Sequence, residues 1–492
     1  MTGVVLSKGL SFVQAFAVAK ALGPADFGVW VTLLLVASYG PILCLGTVEA
    51  MLKQVPFFRG RNDPDRVKET EDGVMGSIVL SAVLVVAIGI ASPAFAPAVF
   101  PDIPVFLVAT ILVTIGISYF SAYFYHRFAA YENFRMTGFL DFFRAAAALI
   151  WIGGLGWFRG LPGAIGGYFL HELTTCVLSI VLNVRCYGKV GVSFRRVLLV
   201  SAVRIGFPIT IVWWILILQN SVDRVVLGGL LGPLAVGHYG LGISITAMLA
   251  VMPMVVGRVL YPKVNMQIGL KADEGALRRL VLTPTMVLGA LLANMQLLIL
   301  ALMPILYNEL LPKYRPGLLS AQILIIGCFS ACLLRNGANY LIAANKERLF
   351  LKYVFVSLVF NVVADVVAVK CGWGIEGVAV GTSAAGFLLN VLVWRRALRN
   401  LGFHRSALWS QIAALYLPQV FLGVTIAVIH VAFGGFLENI GPSSIGLTAL
   451  AVFLLNAGLG WVPIYRREIL SWRRILVREK GASARQSVAG AV

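Results

Sequence analysis

The sequence predicts an all-α polytopic membrane protein of about fourteen transmembrane helices, built as two parallel six-helix lobes plus two extra C-terminal helices. Three observations carry that prediction. First, hydrophobic residues make up 59% of the 492 positions and charged residues only 12%, with a mean hydropathy of +0.89. Soluble proteins carry roughly 25% charged residues, so a water-soluble fold is excluded. Second, apolar runs of about 20 residues recur along the chain, the length an α-helix needs to cross ~30 Å of hydrocarbon with its own backbone groups satisfied. Third, Leu22-Gly23-Pro24-Ala25-Asp26-Phe27-Gly28-Val29-Trp30 returns 209 positions later as Leu231-Gly232-Pro233-Leu234-Ala235-Val236-Gly237-His238-Tyr239. Internal repeats of this kind build many transporters.

Taken in order, the predicted spans are 3–22, 28–52, 73–92, 104–125, 137–158, 163–182, 205–228, 235–257, 280–303, 317–343, 350–369, 375–394, 410–431 and 445–465. Each Leu-Gly-Pro turn separates two of them. The duplication has further echoes: Ala129-Ala130-Tyr131-Glu132-Asn133 resembles Ala343-Ala344-Asn345-Lys346-Glu347, and Gly163-x-x-x-Gly167 resembles Gly377-x-x-x-Gly381, both at a shift of 214. Spans one to six are therefore repeated as seven to twelve. Six crossings lie between the two Leu-Gly-Pro turns, which places both turns on one side and makes the halves parallel. The expected division is a first lobe at 1–197, a second at 198–400, spans thirteen and fourteen within 401–465 and a basic tail at 466–492.

The net charge of +19 is read as topology. With a cytoplasmic N-terminus, 31 of the 40 lysines and arginines fall in inner loops, inner helix ends or the tail, and only Arg159, Lys313, Arg315 and Lys370 fall in outer loops. That asymmetry follows the positive-inside rule, and one missed span would scramble it. Both termini are then cytoplasmic, and no nucleic-acid partner is expected. Ala17-Val18-Ala19 mimics a signal-peptide cleavage site, but cutting there would remove the first span, so a retained helix is expected. In the tail, Ile469, Trp472, Ile475 and Leu476 alternate with arginines at helical spacing, which suits a helix lying on an anionic lipid surface. A frayed basic tail is the plainer alternative.

The six cysteines form no disulfide framework. Cys44, Cys176, Cys328 and Cys332 lie in apolar runs, Cys186 in a basic inner loop, and Cys371 near the outer face. No cluster has metal-ligand spacing, and no cofactor is expected.

These features resemble a polysaccharide flippase of the multidrug/oligosaccharidyl-lipid/polysaccharide exporter superfamily. The residues that carry the resemblance are Ala21 to Trp30, Leu45-Gly46-Thr47, Asp223-Arg224-Val225-Val226-Leu227-Gly228, the second Leu-Gly-Pro turn through Tyr239, and Tyr261-Pro262. It covers roughly residues 1–395. The resemblance implies two six-helix lobes around a central cavity in a bacterial inner membrane. It further implies alternating access that moves a polyprenyl-diphosphate-linked oligosaccharide to the outer leaflet, and polysaccharide-assembly proteins as partners.

The physics of such a substrate can be set beside the residues. Its head is anionic and strongly hydrated while its tail can stay in lipid, so a flippase needs a polar cavity with basic groups. Ionisable residues in or at the ends of the spans are Lys8, Lys20, Glu49, Asp141, Arg144, His171, Glu172, Arg204, Asp223, Arg224, Arg258, Arg335 and Asp365. Each costs at least ~2.5 kcal/mol at mid-bilayer when it faces lipid, so they belong against a cavity, a partner or an interface. Arg144 and Arg335 are expected ligands for the diphosphate, because a guanidinium offers a planar fork to phosphate oxygens. The alternative for Arg144 is an ion pair with Asp141, three residues earlier on the same face. Arg224 is a third substrate candidate, with a structural pair or turn cap as the alternative for Asp223-Arg224. Asp141, Glu172, Asp223 and Asp365 are candidate ion-coupling carboxylates, since a buried acid can load and release a proton as access alternates. Structural pairing is the alternative for each. Glu49 and Arg258 stand at equivalent inner positions of the two halves, one shift of 209 apart, and are expected to form a gate ion pair; the alternative is two unrelated interfacial charges.

Two other functions compete. An ion-coupled multidrug exporter of the same superfamily would want an acidic cavity for cationic drugs, which the basic excess within the spans disfavours. A membrane glycosyltransferase, polymerase or ligase would want a substantial outer loop with catalytic groups, and the outer loops are short and poor in carboxylates and histidines. The chain is therefore expected not to be an enzyme.

Overall fold

The computed structural model describes residues 2–437 apart from Asp102, Lys271 and Ala272. Among them the regular structure is helical throughout. The long elements are α1 (Thr2–Tyr39), α2 (Thr47–Gly60), α3 (Pro64–Val99), α4 (Val105–Ala130), α5 (Phe134–Ala148), α6 (Leu155–Tyr187), α7 (Arg196–Gln219), α8 (Val222–Leu230), α9 (Pro233–Leu249), α10 (Val251–Gly269), α11 (Glu274–Ile305), α12 (Leu318–Ala343), α13 (Glu347–Lys370), α14 (Gly374–Asn400) and α15 (Arg405–Leu437). Ten segments among the described residues are long and apolar enough to cross a membrane. Two of the ten hold two predicted spans each, joined at Gly23 and at Gly160. Span seven is shared between α7 and α8, while span fourteen and the tail, with its expected anionic-lipid contact, lie outside the described residues.

The Leu-Gly-Pro turns have a local cause. Gly23 (φ 71°) and Gly232 (φ 81°) take the left-handed conformation that stops a helix, and the following prolines, which lack an N–H, begin the next one. Gly160 (φ 62°) and Gly374 (φ 58°), 214 positions apart, share the positive φ without a proline directly after them. At Gly160 the chain reverses, because Gly163 comes down on the Leu155 carbonyl and Gly167 on the Trp151 carbonyl. That contact explains the first Gly-x-x-x-Gly pair as close packing.

The helix caps sharpen the duplication. Asp63 caps α3 by accepting from Arg66 N at 3.1 Å, and Asp273 caps α11 by accepting from Gly275 N at 3.0 Å, a shift of 210. Helices α4 and α12 are each 26 residues long and are followed by a left-handed residue, Glu132 and Asn345, at a shift of 213. By the caps, the Ala-Ala echo is thus displaced by 213 rather than the 214 of the sequence alignment. The offset grows from 209 through 210 and 213 to 214 along the chain, as a duplication with a few inserted residues requires.

The described chain forms two compact units. The first holds the described residues of 1–244 with Val369–Ile375, and the second holds those of 245–368 with 376–437. In the first, α4 packs against α3 and α6, and α1 against α5 and α6. The second unit is centred on α11 and α12, with α10 and α15 against them. The Tyr416 hydroxyl of α15 bonds Ser330 at 3.0 Å and accepts from Asn390 at 2.7 Å, so span thirteen is tied into this unit by its polar groups.

Candidate functional site

In the first unit, α5 and α6 bring Arg144 to Glu172. The guanidinium donates to Glu172 Oε1 at 3.1 Å; the Arg144 side chain is 38% exposed and that of Glu172 only 3%. His171 Nε2 lies 3.6 Å from the same oxygen. Glu172 Oε2 and His171 Nδ1 are buried without a hydrogen-bond partner. Tyr168, one turn earlier, stacks on His171 at 6.2 Å and meets Trp30 of α1 edge-on at 6.1 Å. The cluster is therefore a buried acid met by a half-exposed cation and by a buried histidine on which an aromatic ring stacks.

This corrects the local pairing open to Arg144 in the sequence. Asp141 does not take it; its carboxylate accepts from Tyr125 at 3.3 Å. A long arginine side chain can reach across to the neighbouring helix, where a carboxylate cut off from water gains more from a cation than a half-buried one does. Asp223 and Arg224 are engaged structurally. Asp223 is buried and accepts from the Tyr239 hydroxyl at 2.9 Å, while Arg224 donates to the Asn220 carbonyl at 2.5 Å and holds its guanidinium 3.7 Å from Asp223. Glu49 is half-buried in the first turn of α2. Arg258 lies on α10, its side chain outside the described residues, so their pairing stays a proposal.

In the second unit Arg335 is exposed on α12, and its stem lies beside Gly257 of α10, where an added Cβ would come within 3.4 Å of Nε. Asp365 is fully buried on α13, and Gly381 of α14 gives it room, since a Cβ there would fall on its carboxylate. Asn361, one turn before Asp365, is also buried.

Two features escaped the sequence reading. Arg127 of α4 grips Glu71 of α3 through two bonds, Nε–Oε1 at 2.9 Å and Nη2–Oε2 at 2.8 Å, with both side chains buried. Glu71 stood outside the expected span and Arg127 among the loop cations, so neither looked buried. The other is a break in the second span: Leu45 (φ 48°) and Gly46 (φ 78°) interrupt the helix between a 3-10 turn, Gly40–Cys44, and α2. The carbonyls freed there are taken up by neighbours. Tyr119 donates to Gly40 O at 2.6 Å, Ser81 to Leu43 O at 2.8 Å and Thr47 to Cys44 O at 3.0 Å. Irregular backbone at membrane depth is tolerated on such terms. The Gly-Pro pair at Gly40 and the Leu-Gly pair at Leu45 were its only sequence signals.

Among the described residues no group of His, Cys, Asp and Glu could hold a metal ion. All six cysteines are free; Cys186 and Cys371 are exposed.

Solved structures share this fold. An inward-facing multidrug resistance MATE family transporter of the MOP superfamily is 15% identical, covering 83% of this chain and 95% of its own, with a TM-score of 0.57. A point mutant of the Vibrio cholerae MATE transporter VcmN is 14% identical over 82% of this chain and 94% of its own, also at 0.57. A MOP superfamily transporter from Pyrococcus furiosus, described as having a binding pocket of reversed polarity that suggests a different function, matches at 0.50 with 14% identity, over 83% of this chain and 94% of its own. No curated protein matches. The family model described as polysaccharide biosynthesis protein matches residues 1–266, more than half the chain, and with the duplicated helical fold and its membrane-spanning segments already in place, the chain belongs to that family.

Proposed function

We propose that this membrane transporter of the MOP superfamily is a flippase that carries a polyprenyl-diphosphate-linked oligosaccharide from the cytoplasmic to the outer leaflet by alternating access, for cell-surface polysaccharide assembly. The observation that carries the reading is the presence of accessible guanidinium groups on membrane helices, Arg144 on α5 and Arg335 on α12. A cation at this depth is stable only against water, an anion or a partner. Its planar fork suits the diphosphate, and either group can hold a head group while the prenyl tail stays in lipid. The asymmetry of basic residues between loops supports cytoplasmic termini, and the outward direction is part of the proposal, taken from the resemblance to polysaccharide flippases. The test is outward movement of a labelled lipid-linked oligosaccharide in vesicles bearing the chain. Arg144→Ala and Arg335→Ala should each lower the rate by tenfold or more with normal insertion, on the order of 1.4 kcal/mol or more added to the barrier, and lysine should restore part of it. Unchanged rates in both alanine variants reject the ligand role.

Multidrug export is the second reading. The structural neighbours include multidrug transporters, and the buried acids Glu172 and Asp365 are the groups that a cationic drug would use. Drug-resistance profiling of cells with and without the chain separates the two.

A further inference from the structure

Arg144 carries one positive charge that two anions can claim. In the structure its Nη2 holds Glu172 Oε1 at 3.1 Å with the side chain 38% exposed, and a dianionic or trianionic diphosphate bound at that exposed side competes with the carboxylate for the same charge. Once the guanidinium swings away, Glu172 would be a nearly water-free carboxylate that has lost the arginine, with the ring of His171, 3.6 Å from Oε1, as the basic group still beside it. From its own helix come His171, Tyr168 and Cys176; from α5 come Arg144 itself and Asp141, the latter held by Tyr125; α4 also brings His126, whose Nδ1 is hydrogen-bonded to the Ala122 carbonyl one turn earlier; and α1 brings Trp30 through Tyr168. A buried carboxylate that loses its cation is costly, and taking up a proton removes the cost. Oε2, buried without a hydrogen-bond partner, is the atom left free for that proton.

We infer that Arg144 is exchanged between Glu172 and the anionic substrate, so that capture of a diphosphate at Arg144 is coupled to uptake of one proton by Glu172. The inference rests on the flippase reading for its substrate class. The step is a plain protonation: one O–H bond forms on Glu172, one proton leaves solvent, and the guanidinium keeps its charge throughout. Linkage makes the effect reciprocal, so acid must favour substrate binding as much as substrate favours proton binding. Release at the opposite face then returns Arg144 to Glu172 and expels the proton, so the proton travels outward with the substrate and an inward proton gradient opposes the coupled step rather than driving it.

The experiment uses the full chain in detergent with geranyl diphosphate as probe, inorganic pyrophosphate as the head group alone and geraniol as the uncharged control. Affinity is measured from about pH 5 to pH 9, and proton uptake on binding is followed with an indicator dye. The diphosphate's own ionisation adds the same slope to every variant, so the comparison between variants is what counts. Wild-type protein should gain affinity over Glu172→Gln as pH falls, by about tenfold per pH unit at most for a single coupled proton. It should also take up close to one more proton per bound diphosphate than Glu172→Gln does. Glu172→Gln should bind more tightly than wild type at high pH, because Arg144 is no longer contested, and Arg144→Ala should bind weakly with no excess proton uptake. Equal pH slopes and equal proton uptake in wild type and Glu172→Gln would overturn the exchange while leaving the flippase reading intact. Absence of diphosphate binding by wild type at every pH would overturn both. Pyrophosphate binding without any gain from the geranyl chain would assign the site to free phosphates rather than to a lipid head group and would likewise remove the flippase reading.

Discussion

Arg127 and Glu71 show how much a single pair of side chains decides. Both are buried, and the guanidinium meets both carboxylate oxygens before reaching the Gly188 carbonyl at 3.3 Å. Removing one partner leaves a buried charge uncompensated, which costs about 3–5 kcal/mol. Arg127→Met should therefore lower the thermal midpoint of the detergent-solubilised protein sharply. The double variant Glu71→Met with Arg127→Met should recover part of that loss, since no lone charge remains. A double variant as unstable as the sum of the two singles would contradict the account. The sequence hid this pair because its members lie 56 residues apart and sit where loops were expected. The same holds for Arg144 and Glu172, 28 residues apart on different helices: each was recognisable as a membrane charge, but only the fold could choose between Glu172 and the nearer Asp141.

At the scale of the element, glycines set where helices may touch. A Cβ on Gly28 would fall on the Pro233 carbonyl, and one on Gly237 would fall on the Pro24 carbonyl. Each Leu-Gly-Pro turn thus presses its proline against the glycine four residues after the other proline, a reciprocal contact between the two copies of the repeat. Gly46 and Gly206 meet in the same backbone-to-backbone manner, beside the break in the second span. That break adjoins a second one, because Tyr39 hydrogen-bonds Ser221 at 2.5 Å where α7 gives way to α8. Gly28→Val and Gly46→Val should each reduce folded yield and transport severalfold, whereas Gly9→Val, in open space, should not. Equal tolerance at all three positions, measured by size-exclusion yield and flipping rate, would contradict the packing role. Tyr119→Phe and Ser81→Ala should each cost about 1 kcal/mol by exposing a carbonyl of the broken turn. The turns and the Gly-x-x-x-Gly pairs were legible because their chemistry is local. The breaks were not, since a lone glycine or proline in an apolar run is common in continuous membrane helices.

For the whole molecule, the repeat and the charge asymmetry were readable from the chain, and the caps then fixed the register of the duplication to within a residue. Sidedness rests on the charge asymmetry and has a simple check in the native cysteines. Both Cys371 and Cys186 are exposed, and only Cys371 belongs to the expected outer face. An impermeant thiol reagent added to intact cells should modify Cys371 and spare Cys186; the reverse pattern would invert the map. The proposed gate asks for a charge swap: Glu49→Arg and Arg258→Glu should each impair transport and together recover a substantial part of it, while additive losses would leave two unrelated charges. The central claim, that this family member moves a diphosphate-linked sugar lipid, is tested most directly by reconstituting the purified chain into liposomes and following a labelled polyprenyl-diphosphate oligosaccharide between leaflets. The account predicts movement well above that of empty liposomes, reduced tenfold or more by Arg144→Ala and by Arg335→Ala. Movement no faster than in empty liposomes, with efflux of cationic drugs from the same preparation, would contradict it.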